Sequence, residues 1–323
     1  MVLVTGATGF LGSELVSQLL CNGEKVRAIK RPFSVIPEIL RNESLIEWTN
    51  ADLLDYFSLG DALQGITKVY HCAAFVSLNP RDKKQMLRVN VGGTVNLLNA
   101  CAANQIQKFL HVSSVAAVGD SKKGELITEN HHWEFGSGKS GYSISKYESE
   151  MEVFRAAAEG MNIVIVNPTI ILGKNVGKEG SGQLFEMIKK GMKYYPDGSF
   201  GYVDVEDVAM TMIKLMESEI SGKRFIINAE NWTYQDLFSE IATQMGKARP
   251  NIELKPWMLE SARVATGILS AFTGKDYGLN KDTVRSALKK QNYSNEKIKM
   301  ALDFEFRSVK GTISEICQNL NTN

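Results

Sequence analysis

Cysteine and histidine are scarce in this chain of 323 residues, which has four of each. The cysteines lie far apart, and none has a neighbour at the short spacing that zinc sites use. Two of the histidines, His71 and His111, lie within apolar segments that are typical of strands. At such positions a hydrogen-bonded core imidazole is commoner than a metal ligand, so the sequence predicts no metal centre.

The chain also lacks an excess of either charge and any long apolar segment. It has 37 basic and 36 acidic residues, a net charge of +1, whereas a nucleic-acid partner requires a clustered positive surface. No stretch of about 18 uncharged apolar residues could span a bilayer. The first predicted strand begins at Met1, which leaves no room for a signal peptide. We therefore expect a cytoplasmic protein that binds neither nucleic acid nor membrane.

Three glycines, by contrast, lie close together at the start of the chain, directly after the apolar segment 2–4. Gly6, Gly9 and Gly12 follow one another at intervals of three residues. This spacing allows a tight turn out of a strand, close approach of a pyrophosphate and close packing of the next helix, whose N-terminus attracts phosphate. The phosphate-binding residues predicted at this turn are Gly6, Thr8, Gly9, Phe10, Leu11 and Gly12.

Short apolar segments alternate with longer amphipathic segments through the first half of the chain. Helices are predicted near residues 9–21, 57–63, 83–103 and 142–159, with strands between them. Strands joined by helices imply right-handed parallel crossovers with helices on both faces of one sheet. The sequence therefore predicts an α/β fold with a doubly wound parallel sheet.

The pattern changes after Pro168, where a stretch rich in glycine and lysine, residues 173–182, predicts a loop into a second lobe. The chain beyond it is mostly helical in pattern. We therefore divide the chain into a nucleotide-binding domain, residues 1–172, and a smaller substrate-binding lobe, residues 173–323. A helix and strand near residues 202–230 are expected to return to the first domain.

The end of the second strand predicts which nicotinamide cofactor is bound. In doubly wound folds a carboxylate at this point accepts a hydrogen bond from the ribose of NAD, whereas a cation accommodates the 2′-phosphate of NADP. The second strand ends in Lys30 and Arg31, with no acidic residue before Glu38. The sequence favours NADP(H), with NAD(H) as the alternative, and predicts that Asp52 and Leu53 contact the adenine.

Tyr142 and Lys146 are one helical turn apart on one face of a predicted helix. An ammonium beside a phenol favours the phenolate and lowers the pKa of the tyrosine, which makes it a general acid or base. A hydroxyl of Ser113 or Ser114, at the end of the fifth strand, could polarise the same substrate oxygen. The spacing recurs elsewhere in the chain, and the position at the carboxyl edge of the sheet, where open α/β sheets bind ligands, selects this pair.

Several motifs occur in a fixed order along the chain. They are the glycine turn, Asp52-Leu53, His71-Cys72-Ala73-Ala74, Asn90-Val91-Gly92-Gly93-Thr94, Ser113-Ser114, Tyr142 to Lys146 and Asn167-Pro168-Thr169. In this order, and over essentially its whole length, the chain resembles the extended short-chain dehydrogenase/reductase family within the NAD-dependent epimerase/dehydratase superfamily. The resemblance implies a Rossmann-type NAD(P)-binding domain and an NAD(P)-dependent oxidoreductase that acts on a CH-OH or carbonyl group.

The resemblance also implies roles for individual residues. Ser114 corresponds to the catalytic serine and Tyr142 to the proton donor, and Lys146 is expected on the nicotinamide ribose. The cofactor contacts implied further along the chain are Ala73, Ala74, Asn167, Pro168 and Thr169. Asn90 has a family counterpart near the site, and a helix-capping role is an equal alternative.

The dihydroflavonol 4-reductase-like branch, which includes enzymes similar to 3β-hydroxysteroid dehydrogenase, fits best. Its NADP-selecting strand resembles residues 26–31, and its sixth-strand exit resembles residues 167–173. The expected function is NADPH-dependent reduction of a ketone or aldehyde of a small apolar substrate.

Two other functions are alternatives to this reduction. A nucleotide-sugar epimerase or dehydratase shares the catalytic set, although residues 164–166 lack the arginine and aromatics of galactose-type epimerases, and Val115-Ala116 replaces the acidic pair of the dehydratases. The second alternative is a regulatory protein that binds NADP without catalysis.

Substrate specificity is expected in three parts of the chain. These are the loop 75–80, the segment 131–133, and the second lobe around Phe185, Tyr202 and the helix that begins near Trp257. The aromatics there suit either an apolar pocket or ordinary core. The family often pairs subunits through the helices near residues 83–103 and 142–159, so a homodimer is also an expectation.

Overall fold

A computed structural model describes residues 1–121, 124–136, 138–177, 180–273 and 280–322, and its centre is a parallel sheet. The strands are β1 (Val2–Thr5), β2 (Val26–Lys30), β3 (Ile46–Asn50), β4 (Lys68–His71), β5 (Lys108–Val112), β6 (Ile163–Pro168), β7 (Ile170–Leu172), β8 (Tyr194–Pro196), β9 (Ser199–Asp204), β10 (Lys223–Ile227), β11 (Glu230–Thr233) and β12 (Ile252–Leu254). Seven of them form the central sheet in the order β10-β6-β5-β4-β1-β2-β3, and every pair is parallel. The predicted doubly wound α/β fold is confirmed.

The helices cover both faces of this sheet and build the second lobe. They are α1 (Phe10–Cys21), α2 (Tyr56–Ala62), α3 (Lys83–Met86), α4 (Gly93–Ala103), α5 (Gly141–Ala158), α6 (Gly182–Lys189), α7 (Val205–Glu217), α8 (Tyr234–Gln244), α9 (Pro256–Thr273), α10 (Lys281–Leu288), α11 (Glu296–Leu302) and α12 (Val309–Thr322). Within the described ranges, no helix is both long and apolar enough to cross a bilayer.

Successive side chains of the strands enter two separate cores, because a strand points alternate residues to opposite faces. In β1, Val2 and Val4 pack with α1 and α7, whereas Leu3 packs with α2, α4 and α5. In β6, Val164 packs in the same core as Val2 and Val4, and Ile165 packs in the same core as Leu3. Strands buried on both faces read as continuous β-branched and aliphatic runs, which is why the sequence pattern identified them.

The chain returns to the central sheet after entering the second lobe. β10 pairs in parallel with β6, so that Phe225 lies opposite Val166, and α7 packs on α1. Asp204 begins α7 by accepting a hydrogen bond from the amide of Glu206, 2.8 Å away. The strand that closes one edge of the sheet therefore comes from the second half of the sequence.

The chain after β6 contains short strands that the sequence pattern did not reveal. β7, β9 and β11 form one small sheet, and β8 pairs with β12. Each has three to six residues, too few for a clear alternation of apolar and polar residues. α8 begins after Thr233, because the hydroxyl of Thr233 accepts a hydrogen bond from the amide of Asp236 at 3.0 Å.

The segment 83–103, predicted as one helix, contains a change of helical form. α3 continues through a π-helical turn, Leu87–Gly92, into α4. A π-turn inserts one extra residue into a helix and is frequent at functional sites. The turn contains Asn90, whose side chain is buried.

Candidate functional site

The glycine turn between β1 and α1 has the shape that its spacing predicts. Gly6 has a φ of 69°, and a Cβ there would lie 2.7 Å from the amide nitrogen of Ala73. A Cβ on Gly12 would collide with the carbonyl oxygen of Gly6, so α1 packs directly against the turn. Gly9 is exposed at the mouth of the turn. These features fit a dinucleotide pyrophosphate, which needs a bare backbone at close range.

A groove of about 710 Å³ runs from this turn along the carboxyl ends of the central strands. It brings together nine of the residues predicted to bind the cofactor. They are Gly6, Thr8, Gly9, Lys30, Arg31, Asp52, Leu53, Ala73 and Ala74. The ammonium of Lys30 donates to Oδ1 of Asn50 at 3.2 Å, and Asp52 accepts from the amide of Leu54 at 2.9 Å.

The remaining predicted cofactor contacts lie outside the lining of this groove. Phe10, Leu11 and Gly12 form the first turn of α1. The hydroxyl of Thr169 hydrogen-bonds with the carbonyl of Ile227 and with Oδ1 of Asn228, at 3.3 and 3.1 Å.

Asn167 and Pro168 end β6, which pairs with β5, and Ser114 follows the end of β5 by two residues. The side-chain amide nitrogen of Asn167 donates a hydrogen bond to the backbone carbonyl of Ser114 at 3.0 Å. This residue therefore contacts the backbone of the predicted catalytic serine.

Tyr142 and Ser114 meet at the carboxyl edge of the sheet. Tyr142 lies in the first turn of α5, whose N-cap Ser140 accepts from the amide of Ser143 at 3.1 Å. The hydroxyl of Ser114 lies close enough to the phenol of Tyr142 to lower its pKa, and it accepts a hydrogen bond from the amide of Ala116 at 3.2 Å. Of the two candidate serines, Ser114 is the one that reaches the tyrosine.

Lys146 lies one turn further along α5, with its side chain 4% exposed. Its ammonium donates to the carbonyl oxygen of Val112, the last residue of β5, at 3.0 Å. Burial lowers the pKa of Lys146 to about 8, against the opposing influence of Cys72 and of Glu150. A buried amine in this state changes its charge near neutral pH.

The pKa of Tyr142 is raised, whereas the sequence predicted a lowered pKa beside Lys146. Burial raises the pKa of Tyr142 above its usual value, and the hydrogen bond from Ser114 only partly opposes it. Desolvation dominates because the phenolate would lose more hydration than one hydrogen bond restores. Tyr142 is therefore a neutral phenol with a proton to give.

Glu150, which the sequence analysis missed, lies one turn beyond Lys146 and has no exposed surface. Oε1 accepts from Nη1 of Arg224 at 2.9 Å, and Oε2 accepts from Nδ2 of Asn167 at 2.7 Å. The same amide nitrogen donates to the carbonyl of Ser114. Its spacing of four residues from Lys146 was the available sequence signal.

Asn90 lies behind this edge and does not cap a helix. Its Oδ1 accepts from the amide of Phe75 at 2.7 Å, and its Nδ2 donates to the carbonyl of Phe75 and to the hydroxyl of Ser145, both at 3.0 Å. The residue therefore joins the loop after β4 to α5. The alternative of a helix-capping role was wrong.

His71 and His111 belong to a buried hydrogen-bond chain. Thr94 donates to the carbonyl of Asn90 at 2.6 Å, so its oxygen is left to accept from Nε2 of His71 at 2.9 Å. Nδ1 of His71 then accepts from the hydroxyl of Thr5 at 2.8 Å. Burial lowers the pKa of His71 to about 3 and that of His111 well below its usual value. Both imidazoles are neutral structural groups, and within the described residues no cluster of metal-binding side chains occurs.

The predicted specificity residues divide between a surface cluster and the core. Trp133 stacks on Tyr147 of α5 with ring centroids 4.1 Å apart. Phe185 and Tyr202 are fully buried in the core of the second lobe, so they do not line a pocket. Trp257, at the start of α9, is 69% exposed and lies outside the core.

Comparisons with known proteins agree with this geometry. The sequence model of the NAD dependent epimerase/dehydratase family matches residues 2–228. The chain is 32% identical over 266 residues to a sterol demethylase protein B of Methylococcus capsulatus, covering 80% of this chain and 78% of that protein. It is 30% identical over 319 residues to a putative dihydroflavonol 4-reductase of Synechocystis, covering 97% and 92%. The solved structure of gox2253 superposes with a TM-score of 0.85 at 28% identity, covering 100% of this chain and 98% of that one.

Proposed function

Because the chain belongs to the NAD-dependent epimerase/dehydratase family, we propose that it is an NADPH-dependent reductase of a ketone or aldehyde on a small apolar substrate. The observation that carries the proposal is the position of Tyr142 in the first turn of α5, beside Ser114, as a phenol whose pKa is raised by burial. A phenol in this state can donate a proton to a carbonyl oxygen.

In this reduction Ser114, Tyr142 and Lys146 each have a separate role. NADPH, when bound, supplies the hydride that the carbonyl carbon receives. The hydroxyl of Ser114 orients the substrate oxygen, and Tyr142 gives the proton that turns this oxygen into a hydroxyl. The ammonium of Lys146, fixed by the carbonyl of Val112, binds the ribose and stabilises the phenolate that remains.

The preference for NADPH rests on the charges at the end of β2. Lys30 and Arg31 line the groove, where a carboxylate would favour NAD. A guanidinium pairs well with a phosphate in charge-assisted hydrogen bonds. Gly6, Gly9 and Gly12 would hold the pyrophosphate shared by both cofactors.

Apolar side chains beside the groove favour an apolar substrate. Val76 and Leu78 are exposed on the loop after β4, directly beyond the groove residues Ala74 and Phe75. The relatives named for a dihydroflavonol reductase and a sterol demethylase suggest a ring-containing substrate.

The test replaces the phenol and leaves its ring. We expect Tyr142→Phe to lower kcat for reduction of an aldehyde or ketone by at least about a hundredfold, the usual contribution of a general acid. The dissociation constant for NADPH should stay within about twofold, which a fluorescence titration measures. Tyr147→Phe, on the same helix, is the matched control and should retain turnover. Equal turnover in Tyr142→Phe and the wild type would refute the mechanism.

A nucleotide-sugar epimerase is the second candidate, because the family includes such enzymes by name. The same purified protein distinguishes the two. NAD that remains bound through purification, together with interconversion of UDP-sugars and no reduction of a carbonyl panel, would establish the epimerase.

A further inference from the structure

One face of the segment 81–88 carries cations at a helical spacing. Arg81, Lys84 and Arg88 are three and four residues apart, which places them on the same side of α3 and its flanking turns. The other face is packed. Met86 is buried, and the stem of Lys83 lies against Gly141 at the start of α5. Packing on one side therefore fixes the direction of the cationic side.

That cationic side lines the same groove as the glycine turn. Arg81, Lys84 and Arg88 stand on one wall, and Lys30 and Arg31 stand on another. These five cations share the groove with two carboxylates, of which Asp82 accepts from the hydroxyl of Ser77 at 2.6 Å and Asp52 accepts from the amide of Leu54. In a chain with a net charge of +1, this concentration of positive charge is local to the groove.

The cations of this wall have no protein partner in the part of the chain that the structure describes. No ion pair or side-chain hydrogen bond involves the guanidinium of Arg81, the ammonium of Lys84 or the guanidinium of Arg88 within the described ranges. Placing unpaired like charges around one cavity raises their mutual repulsion, which an anionic ligand relieves.

We propose that Arg81, Lys84 and Arg88 form a second phosphate-binding arm, which holds the phosphates of the dinucleotide in addition to Lys30 and Arg31. The inference rests on the proposed use of NADPH. It extends the phosphate site beyond the glycine turn and the end of β2. The ligand chemistry is a phosphate ester or anhydride, from either the 2′-phosphate or the pyrophosphate of the cofactor.

The C-terminal end of the arm lies towards the adenosine end of the groove. A Cβ on Gly93, at the start of α4, would lie 2.8 Å from Cβ of Leu53, the residue predicted to contact the adenine. Arg88 precedes Gly93 by five residues and lines the groove together with Leu53. Arg88 is therefore the member of the arm best placed for the adenosine 2′-phosphate.

The experiment measures cofactor binding by the full-length protein and needs no turnover. NADPH and NADH are titrated against the wild type, Arg88→Gln, Lys84→Gln and the double variant, with tryptophan fluorescence as the readout. We expect Arg88→Gln to weaken NADPH binding about tenfold, the scale of one charge-assisted hydrogen bond. The double variant should weaken it further and reduce the dependence of the dissociation constant on salt, because fewer charges are screened.

Lys83→Gln is the matched control, because it removes the same charge from the other face of the same helix. Its dissociation constants should stay within about twofold of the wild type if contact, and not general charge, matters. A loss confined to NADPH assigns the arm to the 2′-phosphate, and an equal loss for NADH assigns it to the pyrophosphate. Unchanged binding of both cofactors in the double variant, or an equal effect of Lys83→Gln, overturns the proposal. Failure of carbonyl reduction would refute the proposed function and leave these binding constants interpretable.

Discussion

Lys146 is the residue whose ionisation should limit activity in alkaline solution. Its pKa is about 8, whereas the pKa of Tyr142 is raised from an ordinary value of 10.0. The working form of the lysine is the ammonium, and its fraction falls as the pH rises through its pKa. We expect kcat/KM for reduction to fall above about pH 8, since this quantity reports the ionisations of the free enzyme. The measurement is a pH profile from 7 to 10.

Substitution of Glu150 tests whether Lys146 produces this fall in kcat/KM, the alkaline limb of the pH profile. Its carboxylate raises the pKa of Lys146, so Glu150→Gln should move the limb to lower pH. Glu152→Gln, on the same helix and partly exposed beside Arg155, should leave the limb in place. A limb that stays at the wild-type pH in Glu150→Gln would mean that Lys146 does not control it.

The sequence predicted that Tyr142 and Lys146 lie at the start of a helix after a strand, and the structure places them there. It did not predict the direction of the pKa of Tyr142. The direction of the pKa of Tyr142 depends on how completely the surrounding chain removes water, and no local spacing carries that information. The choice of Ser114 over Ser113 likewise depends on which hydroxyl the turn after β5 directs at the phenol.

Among the elements, the π-helical turn Leu87–Gly92 has the most direct effect on the site. It places the side chain of Asn90 between the loop after β4 and α5, where it forms three hydrogen bonds. The sequence predicted a continuous helix here, because a single inserted residue barely alters the apolar periodicity over 21 positions. The direction in which the cationic face of α3 points could not be predicted either, because it depends on how this helix packs against α5.

Replacement of Asn90 tests the role of this turn. Asn90→Leu leaves the amide and carbonyl of Phe75 without their side-chain partner, and the hydroxyl of Ser145 keeps only its bond to the carbonyl of Tyr142. We expect the free energy of unfolding to fall by about 2 kcal/mol or more, because buried polar groups that lose a partner cost about 1–3 kcal/mol each. Urea denaturation followed by circular dichroism measures it.

Asn99→Leu provides the comparison for this variant. Asn99 is exposed on α4, and its replacement should change stability by less than about 0.5 kcal/mol. Similar unfolding free energies for the two variants would show that the hydrogen bonds of Asn90 do not stabilise the turn.

Across the whole molecule, the return of the chain to the central sheet connects the second lobe with α5, the helix that carries Tyr142 and Lys146. Arg224 of β10 is 74 residues away from Glu150 in the sequence, and it also donates to the carbonyls of Glu129 and His131. A helix and strand returning near residues 202–230 could be expected from the βαβ pattern. Which charged residues pair between the returning strand and α5 could not be predicted, because that pairing depends on the register between β10 and β6.

This long-range pair should contribute far more to stability than an ion pair on the surface of the same helix. Arg224→Met removes the ion-pair partner of the Glu150 carboxylate, which has no exposed surface. We expect a loss of about 3 kcal/mol or more in the free energy of unfolding, the usual cost of an unpaired buried charge.

Arg155→Met removes an exposed partner of Glu152 and Glu159 on the same helix and should cost less than about 1 kcal/mol. Parallel urea titrations compare the two variants, and the pH profile of Arg224→Met supplies an independent readout. Because Glu150 also holds the amide of Asn167, which donates to the carbonyl of Ser114, kcat should fall in Arg224→Met under conditions where the variant remains folded. Wild-type kcat in a folded Arg224→Met protein would show that the returning strand stabilises the sheet without positioning Ser114.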